Sequence, residues 1–142
     1  MATIDSIDKD IGILVADDYA LTRDMIRSIL KQHGFQNIVV AEDGKKAMER
    51  LRVDAIALVI CDWNMPMMSG IEVLRAVRGD TRLKDLPFLM LTAEAYRENV
   101  KEAAEVGVTD YISKPFTAQV LIEKIVSAIS SAPPPAAKKP AT

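Results

Sequence analysis

The stretch Leu58-Val59-Ile60-Cys61-Asp62-Trp63-Asn64-Met65-Pro66 decides how this chain folds. A short apolar run ends in a carboxylate, and Asn64 and Pro66 then turn the chain. Such a run fits a strand buried on both faces. In open α/β sheets, chemistry stands outside the carboxyl ends of such strands. Two other stretches serve the same edge. Ile13-Leu14-Val15-Ala16-Asp17-Asp18 is another apolar run ending in acid, and Val108-Thr109-Asp110-Tyr111-Ile112-Ser113-Lys114-Pro115 ends in a lysine.

Outward from these stretches the pattern alternates. Strands are predicted over 11–16, 37–41, 57–62, 87–91 and 108–112. Between them the apolar spacing becomes helical. Asp18 is expected to cap a first helix near Tyr19, with Leu21, Met25, Ile26, Ile29 and Leu30 on one face and Gly34 as its stop. Asp43 caps a second helix carrying Ala47, Met48 and Leu51 inward. Ser69 and Glu72 form a capping box before Ile71, Val73, Leu74 and Val77, and Gly79 ends that helix. A fourth helix over 94–106 packs through Val100, Ala103 and Ala104 and is closed by Gly107. Thr117 caps the last, with Val120, Leu121, Ile125, Val126 and Ile129. Five strands alternating with five helices imply an α/β, doubly wound parallel sheet covered on both faces.

Composition narrows the classes of function. The 142 residues fit one domain and carry a net charge of −2, which points to no nucleic-acid partner. The lone cysteine, Cys61, excludes an internal disulfide and suits a small buried filler. The single histidine, His33, suits a helix end better than a ligand or base. No apolar run approaches a membrane span and no signal core precedes residue 11, so a soluble cytoplasmic protein is expected; a monomer is expected as well. Residues 1–10 read as a polar lead-in, 11–131 as the folded domain, and the Pro/Ala/Lys-rich 132–142 as a disordered tail.

Asp17, Asp18, Asp62, Thr92 and Lys114 all stand at carboxyl ends of predicted strands. Singly, each has a plain explanation: a helix cap for the first two acids or for Thr92, a solvated turn for Lys114, packing for Tyr111. Their coincidence across four strands does not. Three converging carboxylates repel one another, and hard oxygen ligands without histidine or cysteine suit Mg²⁺. Asp17, Asp18, Asp62 and the backbone carbonyl of Asn64 are the expected metal ligands. With Thr92 and Lys114 alongside, the set is a phosphoryl-transfer kit, with Asp62 as nucleophile.

At these residues the sequence resembles the receiver domain of two-component response regulators. The likeness runs from about residue 11 to 130. The matching motifs are Val15-Ala16-Asp17-Asp18, Ala41-Glu42-Asp43-Gly44, Asp62-Trp63-Asn64-Met65-Pro66, Leu91-Thr92-Ala93-Glu94-Ala95 and Lys114-Pro115-Phe116-Thr117-Ala118. The Trp63-Asn64 pair and the stretch over 92–99 point to the single-domain chemotaxis branch. The resemblance implies a flavodoxin-like sheet of order 2-1-3-4-5 and Asp62 as phosphoacceptor from a histidine kinase, with Mg²⁺. It implies that Thr92 and Lys114 contact the phosphoryl group and that Tyr111 follows Thr92 from an outward to a buried rotamer. A cis Lys114-Pro115 bond would aim the lysine at the crevice. The partner face, for a flagellar motor switch protein, would use Ala95, Arg97, Val100, Tyr111 and Lys124. A phosphatase is a further possible partner. The protein would be no true enzyme, only slowly self-phosphorylating and self-dephosphorylating.

The chain departs from the family pattern at three places. Ser69 replaces the usual acid before the glycine that opens the third helix. Met67 and Met68 make that loop apolar, with consequences for water access to Asp62. Tyr96 replaces a lysine of the chemotaxis branch. With only the short tail after the last helix, the chain reads as a stand-alone switch whose output is a protein contact. A phosphate sink or phosphorelay intermediate is the alternative in the same chemistry. An Mg²⁺-dependent aspartyl-nucleophile phosphohydrolase is the alternative of another class, but such enzymes commonly carry a second acid two residues after the nucleophile, where this chain has Asn64.

Overall fold

A computed structural model describes residues 3–93 and 97–131, with backbone alone at 97–99. Five strands, β1 (Gly12–Ala16), β2 (Asn37–Ala41), β3 (Leu58–Asp62), β4 (Phe88–Thr92) and β5 (Asp110–Ser113), form one sheet of order β2-β1-β3-β4-β5. Every pairing is parallel. The helices α1 (Ala20–Gln32), α2 (Gly44–Val53), α3 (Gly70–Arg78) and α4 (Arg97–Val106) fill the crossovers, and α5 (Ala118–Ser130) follows β5. The expected doubly wound order is therefore the observed one.

Strand alternation divides the core in two. Leu14, Ala16, Val59, Cys61, Phe88 and Met90 point to the face covered by α2, α3 and α4, where Ala47, Leu51, Val73, Leu74, Val77 and Ala103 are buried. Ile13, Val15, Leu58, Ile60, Leu89, Leu91 and Ile112 point to the opposite face, under Ile26 and Leu30 of α1 and Leu121 and Ile125 of α5. β3 and β4 are buried at every position. That is why both read as unbroken apolar runs and not as alternating ones.

Most caps form as expected. The side chains of Asp43, Ser69 and Thr117 accept backbone N–H bonds from Lys46, Glu72 and Val120. Glu72 returns the Ser69 bond, completing the box. Gly34 and Gly107 take φ values of 96° and 108° after α1 and α4, which favours glycine at both. His33 stands at the end of α1, its Nδ1 2.9 Å from the Ile29 carbonyl oxygen.

Four details depart from the sequence reading. The N-cap of α1 is Tyr19 and not Asp18, and no side chain caps it there. Leu21 and Met25 of α1 are exposed, at 83% and 44%, as is Val120 of α5, so only Ile26 and Leu30 of α1 are fully buried. Four strands shift by one or two residues at their boundaries, β1 starting at Gly12, β3 starting at Leu58, β4 covering Phe88–Thr92 and β5 covering Asp110–Ser113. The lead-in is more than polar: a 3₁₀ turn over Ile4–Ser6 brings Ile4 and the buried Ile7 against the core on the α1/α5 side. Lys9 holds this segment by donating to the carbonyls of Ile4 and Ile7 while lying over the Phe35 ring. The stretch 132–142, expected to be a disordered tail, lies outside the described residues.

Candidate phosphoryl-transfer site

Three strand ends meet at one rim of the sheet. Asp17 follows β1, Asp62 ends β3 and Lys114 follows β5. Lys114 Nζ donates to Asp17 Oδ2 at 2.9 Å and lies 3.0 Å from Asp62 Oδ1. Asp17 is fully buried and Asp62 is 6% exposed, while Asp18 stands open to solvent. Each of the three acids offers a carboxylate oxygen within 4.8 Å of the others'. The Lys114-Pro115 bond is cis, as expected.

The backbone around the rim is tightly determined. The Lys114 N–H donates to the Thr92 carbonyl at 2.8 Å, which ties the lysine's loop to the end of β4. Trp63 N–H donates to the Leu91 carbonyl, and Gly70 N–H to the Trp63 carbonyl. Gly70 is needed at that spot: a Cβ there would lie 2.2 Å from the Asp62 carbonyl oxygen. Gly44 allows a similar approach, since its Cβ would lie 2.1 Å from the Met68 carbonyl oxygen. Two helix N-termini thus crowd the loop after β3. Met67, in that loop, takes a φ of 72° and is 73% exposed, so its side chain faces water.

Electrostatics follow from burial and crowding. Burial pushes the Asp62 carboxyl up to about 6; the Lys114 hydrogen bond opposes this, and the charges of Asp17 and Asp18 add to it. Burial alone would pull the Lys114 ammonium down, but its bonds to Asp17 and Asp62 outweigh that and raise its pKa. Burial likewise pushes the Cys61 thiol far up, so this cysteine is an inert filler.

An oxygen-only donor set of this kind fits Mg²⁺ and gives a softer metal no preferred ligand. Asp17, Asp18 and Asp62 are the side chains that would hold it. Thr92, at 5% exposure, ends β4 beside Asp62 of β3, with Leu91 as the residue paired to Asp62. By alternation Thr92 belongs with Phe88 and Met90, on the face under α4. Tyr111 shares that face, half-buried, and its hydroxyl donates to the Val100 carbonyl of α4. Lys124 pairs with Asp110 at 3.0 Å, tying α5 to β5. Ala95 and the Arg97 side chain lie outside the described residues.

The sequence reading overlooked Arg23 and Arg78. Arg23 Nη1 donates to the Asp17 backbone carbonyl at 2.7 Å, inside the site. Arg78, half-buried, donates to the carbonyls of Gly107, Lys84 and Leu86 and so joins the far ends of α3, α4 and β4. A basic residue in the first or last turn of a helix was the only available signal for either.

This fold, with acids at the ends of its first and third strands and a lysine after its fifth, defines a class. The family model of the response regulator receiver domain matches residues 13–126, and the chain belongs to that family. Within the family it is similar to chemotaxis proteins. It is 51% identical over 113 residues to the chemotaxis protein CheY of Pseudomonas aeruginosa, covering 80% of this chain and 91% of that one. It is 45% identical over 119 residues to the chemotaxis protein CheY-3 of Vibrio cholerae, covering 84% and 92%. Among solved structures it is similar to the chemotaxis response regulator CheY4 of Vibrio cholerae, with a TM-score of 0.79, 32% identity, and coverage of 84% of this chain and 98% of that one.

Proposed function

We propose that this chain is a cytoplasmic phosphorylation switch that accepts a phosphoryl group on Asp62 from a histidine kinase and, in that state, binds a flagellar motor switch protein. The observation that carries the reading is the pairing of one ammonium, Lys114, with both Asp17 and Asp62 at a rim that Asp18 completes.

The chemistry is a displacement at phosphorus. An Asp62 carboxylate oxygen attacks, a new P–O bond forms, and the P–N bond to the kinase imidazole breaks with its electron pair leaving on nitrogen. The product is an aspartyl phosphate. A bound Mg²⁺ would supply charge neutralisation for the carboxylates and for the equatorial oxygens of the phosphoryl group. Lys114 is a second cation at the rim, paired with Asp17 and Asp62. Its ammonium can transfer its hydrogen bond from Asp62 to a phosphoryl oxygen, and the Thr92 hydroxyl can donate to another. Asn64, two residues after Asp62, cannot protonate a leaving group, which favours a switch over a phosphohydrolase.

The switch itself is a population shift. Thr92 and Tyr111 share the face under α4, so a contact that draws Thr92 towards the rim frees space into which Tyr111 can turn. The output face is then α4, β5 and α5, with Val100, Tyr111 and Lys124 on it; Arg97 opens α4, and Ala95, assigned to this face from the resemblance, lies outside the described residues. Kinship with chemotaxis proteins supports the motor switch as target.

Trp63 gives the test, since it adjoins Asp62 and is the only tryptophan. Its fluorescence should respond saturably to Mg²⁺ and again to beryllium fluoride added with Mg²⁺, and Asp62→Asn should abolish the second response. No response in the native protein contradicts the site. A pull-down with and without beryllium fluoride reads the partner: motor switch protein captured only with the mimic supports the output assigned here, and kinase alone favours a phosphate sink.

A further inference from the structure

We propose that Arg23 is a positioning residue for the metal-binding acids, acting through the backbone of Asp17. Arg23 sits one turn into α1 and is half-buried. Its Nη1 reaches back to the Asp17 carbonyl at 2.7 Å. This matters because β1 ends at Ala16 and α1 begins at Ala20, so the turn that presents both Asp17 and Asp18 belongs to neither element. Three further bonds fix that turn. Asp17 N–H donates to the Ala41 carbonyl at 3.1 Å, Tyr19 N–H donates to Asp17 Oδ1 at 2.9 Å, and Arg23 N–H donates to the Tyr19 carbonyl at 3.1 Å. The guanidinium holds the Asp17 backbone, as the Lys114 ammonium holds its carboxylate. It closes a loop in which residue 23 holds residues 17 and 19 at once.

The inference rests on the metal reading above and deepens it. Groups that orient a ligand without touching the metal typically change metal affinity about 10–100-fold when removed. Here orientation and charge act in opposite senses, which makes the proposal testable. Arg23 is a cation beside a cation site. If it mattered only through its charge, its removal would tighten Mg²⁺ binding. If it holds the turn, its removal loosens Asp17 and Asp18 and weakens binding.

The experiment is a Mg²⁺ titration of the full chain by calorimetry and by Trp63 fluorescence, comparing native protein with Arg23→Met and Arg23→Lys. Arg23→Met keeps the aliphatic stem, and its fold is checked by circular dichroism. We expect its dissociation constant to rise about tenfold, with Arg23→Lys in between, because an ammonium keeps the charge but lacks the guanidinium's reach and fork. Unchanged or tighter binding in folded Arg23→Met overturns the proposal. Should that variant fail to fold, Arg23→Lys decides in the same way, weaker binding supporting and unchanged binding overturning. Absence of saturable Mg²⁺ binding in the native protein is a different failure, that of the metal reading itself.

Discussion

Lys114 Nζ lies 2.9 Å from Asp17 Oδ2 across 97 residues of chain, and Asp17 is fully buried. Without the ammonium, the Asp17 carboxylate keeps, among the described residues, its bond from the Tyr19 N–H. Removing one partner of a buried pair leaves an uncompensated charge. Lys114→Met should therefore lower the stability of the metal-free protein by about 2–4 kcal/mol, and Lys114→Arg by much less. Urea unfolding in EDTA measures both, and equal stabilities would show that the pair carries no weight.

Asp62 acts in the opposite direction. Its folded pKa of about 6 stands above the ordinary aspartate value near 3.9. A raised acid contributes stability that is complete below the unfolded pKa and is lost as pH rises through the folded one. Charged Asp62 thus costs the metal-free fold above pH 6. Asp62→Asn should be more stable than native protein by about 2 kcal/mol in EDTA at pH 8. The gap should close as the pH falls to about 4. Unfolding curves at the two pH values test this, and a gap of the same size at both would contradict it.

Gly70 sets how closely α3 approaches the end of β3. A Cβ there meets the Asp62 carbonyl oxygen at 2.2 Å, and backbone cannot yield as a flexible side chain does. Gly70→Ala should cost about 1–3 kcal/mol or more. It should also weaken Mg²⁺ binding, because the residue displaced carries the candidate nucleophile. Denaturant unfolding and a metal titration on the same preparation check the two effects together.

Arg78 holds the opposite edge of the sheet. Burial pulls its guanidinium down, yet it keeps bonds to three backbone carbonyls. Arg78→Ala should cost about 1–2 kcal/mol, chiefly through the part-buried Leu86 carbonyl, and leave Mg²⁺ binding at the other rim unchanged. An altered metal affinity in this variant would contradict the separation of the two ends.

Asp62 was legible because it closes an apolar run, and a strand buried along its length delivers a charge only at its end; Lys114 was legible because it follows the last strand at the same edge of the sheet. Thr92 needed its neighbours, since a threonine before a helix is ordinarily a cap. The caps at Asp43, Ser69 and Thr117 were local chemistry and could be read locally. Leu21 and Met25 misled because helical spacing records a stripe without recording whether the sheet extends beneath it; the buried face of α1 lies further along, at Ile26 and Leu30. Ile4 and Ile7 were hidden among polar residues, where apolar spacing gives no period. Arg23 and Arg78 could not be found, because both act on backbone carbonyls that any sequence supplies. Asp18 was misassigned as a cap because it precedes a helix, although Tyr19 is the N-cap and the carboxylate of Asp17 accepts its N–H.

The measurement that bears most directly on the account is intact mass after incubation with a small acyl phosphate donor and Mg²⁺. Native protein should gain a single phosphoryl group that hydroxylamine removes, and Asp62→Asn should gain none. A phosphoryl group on Asp62→Asn, or none on native protein that binds Mg²⁺, would contradict Asp62 as the acceptor.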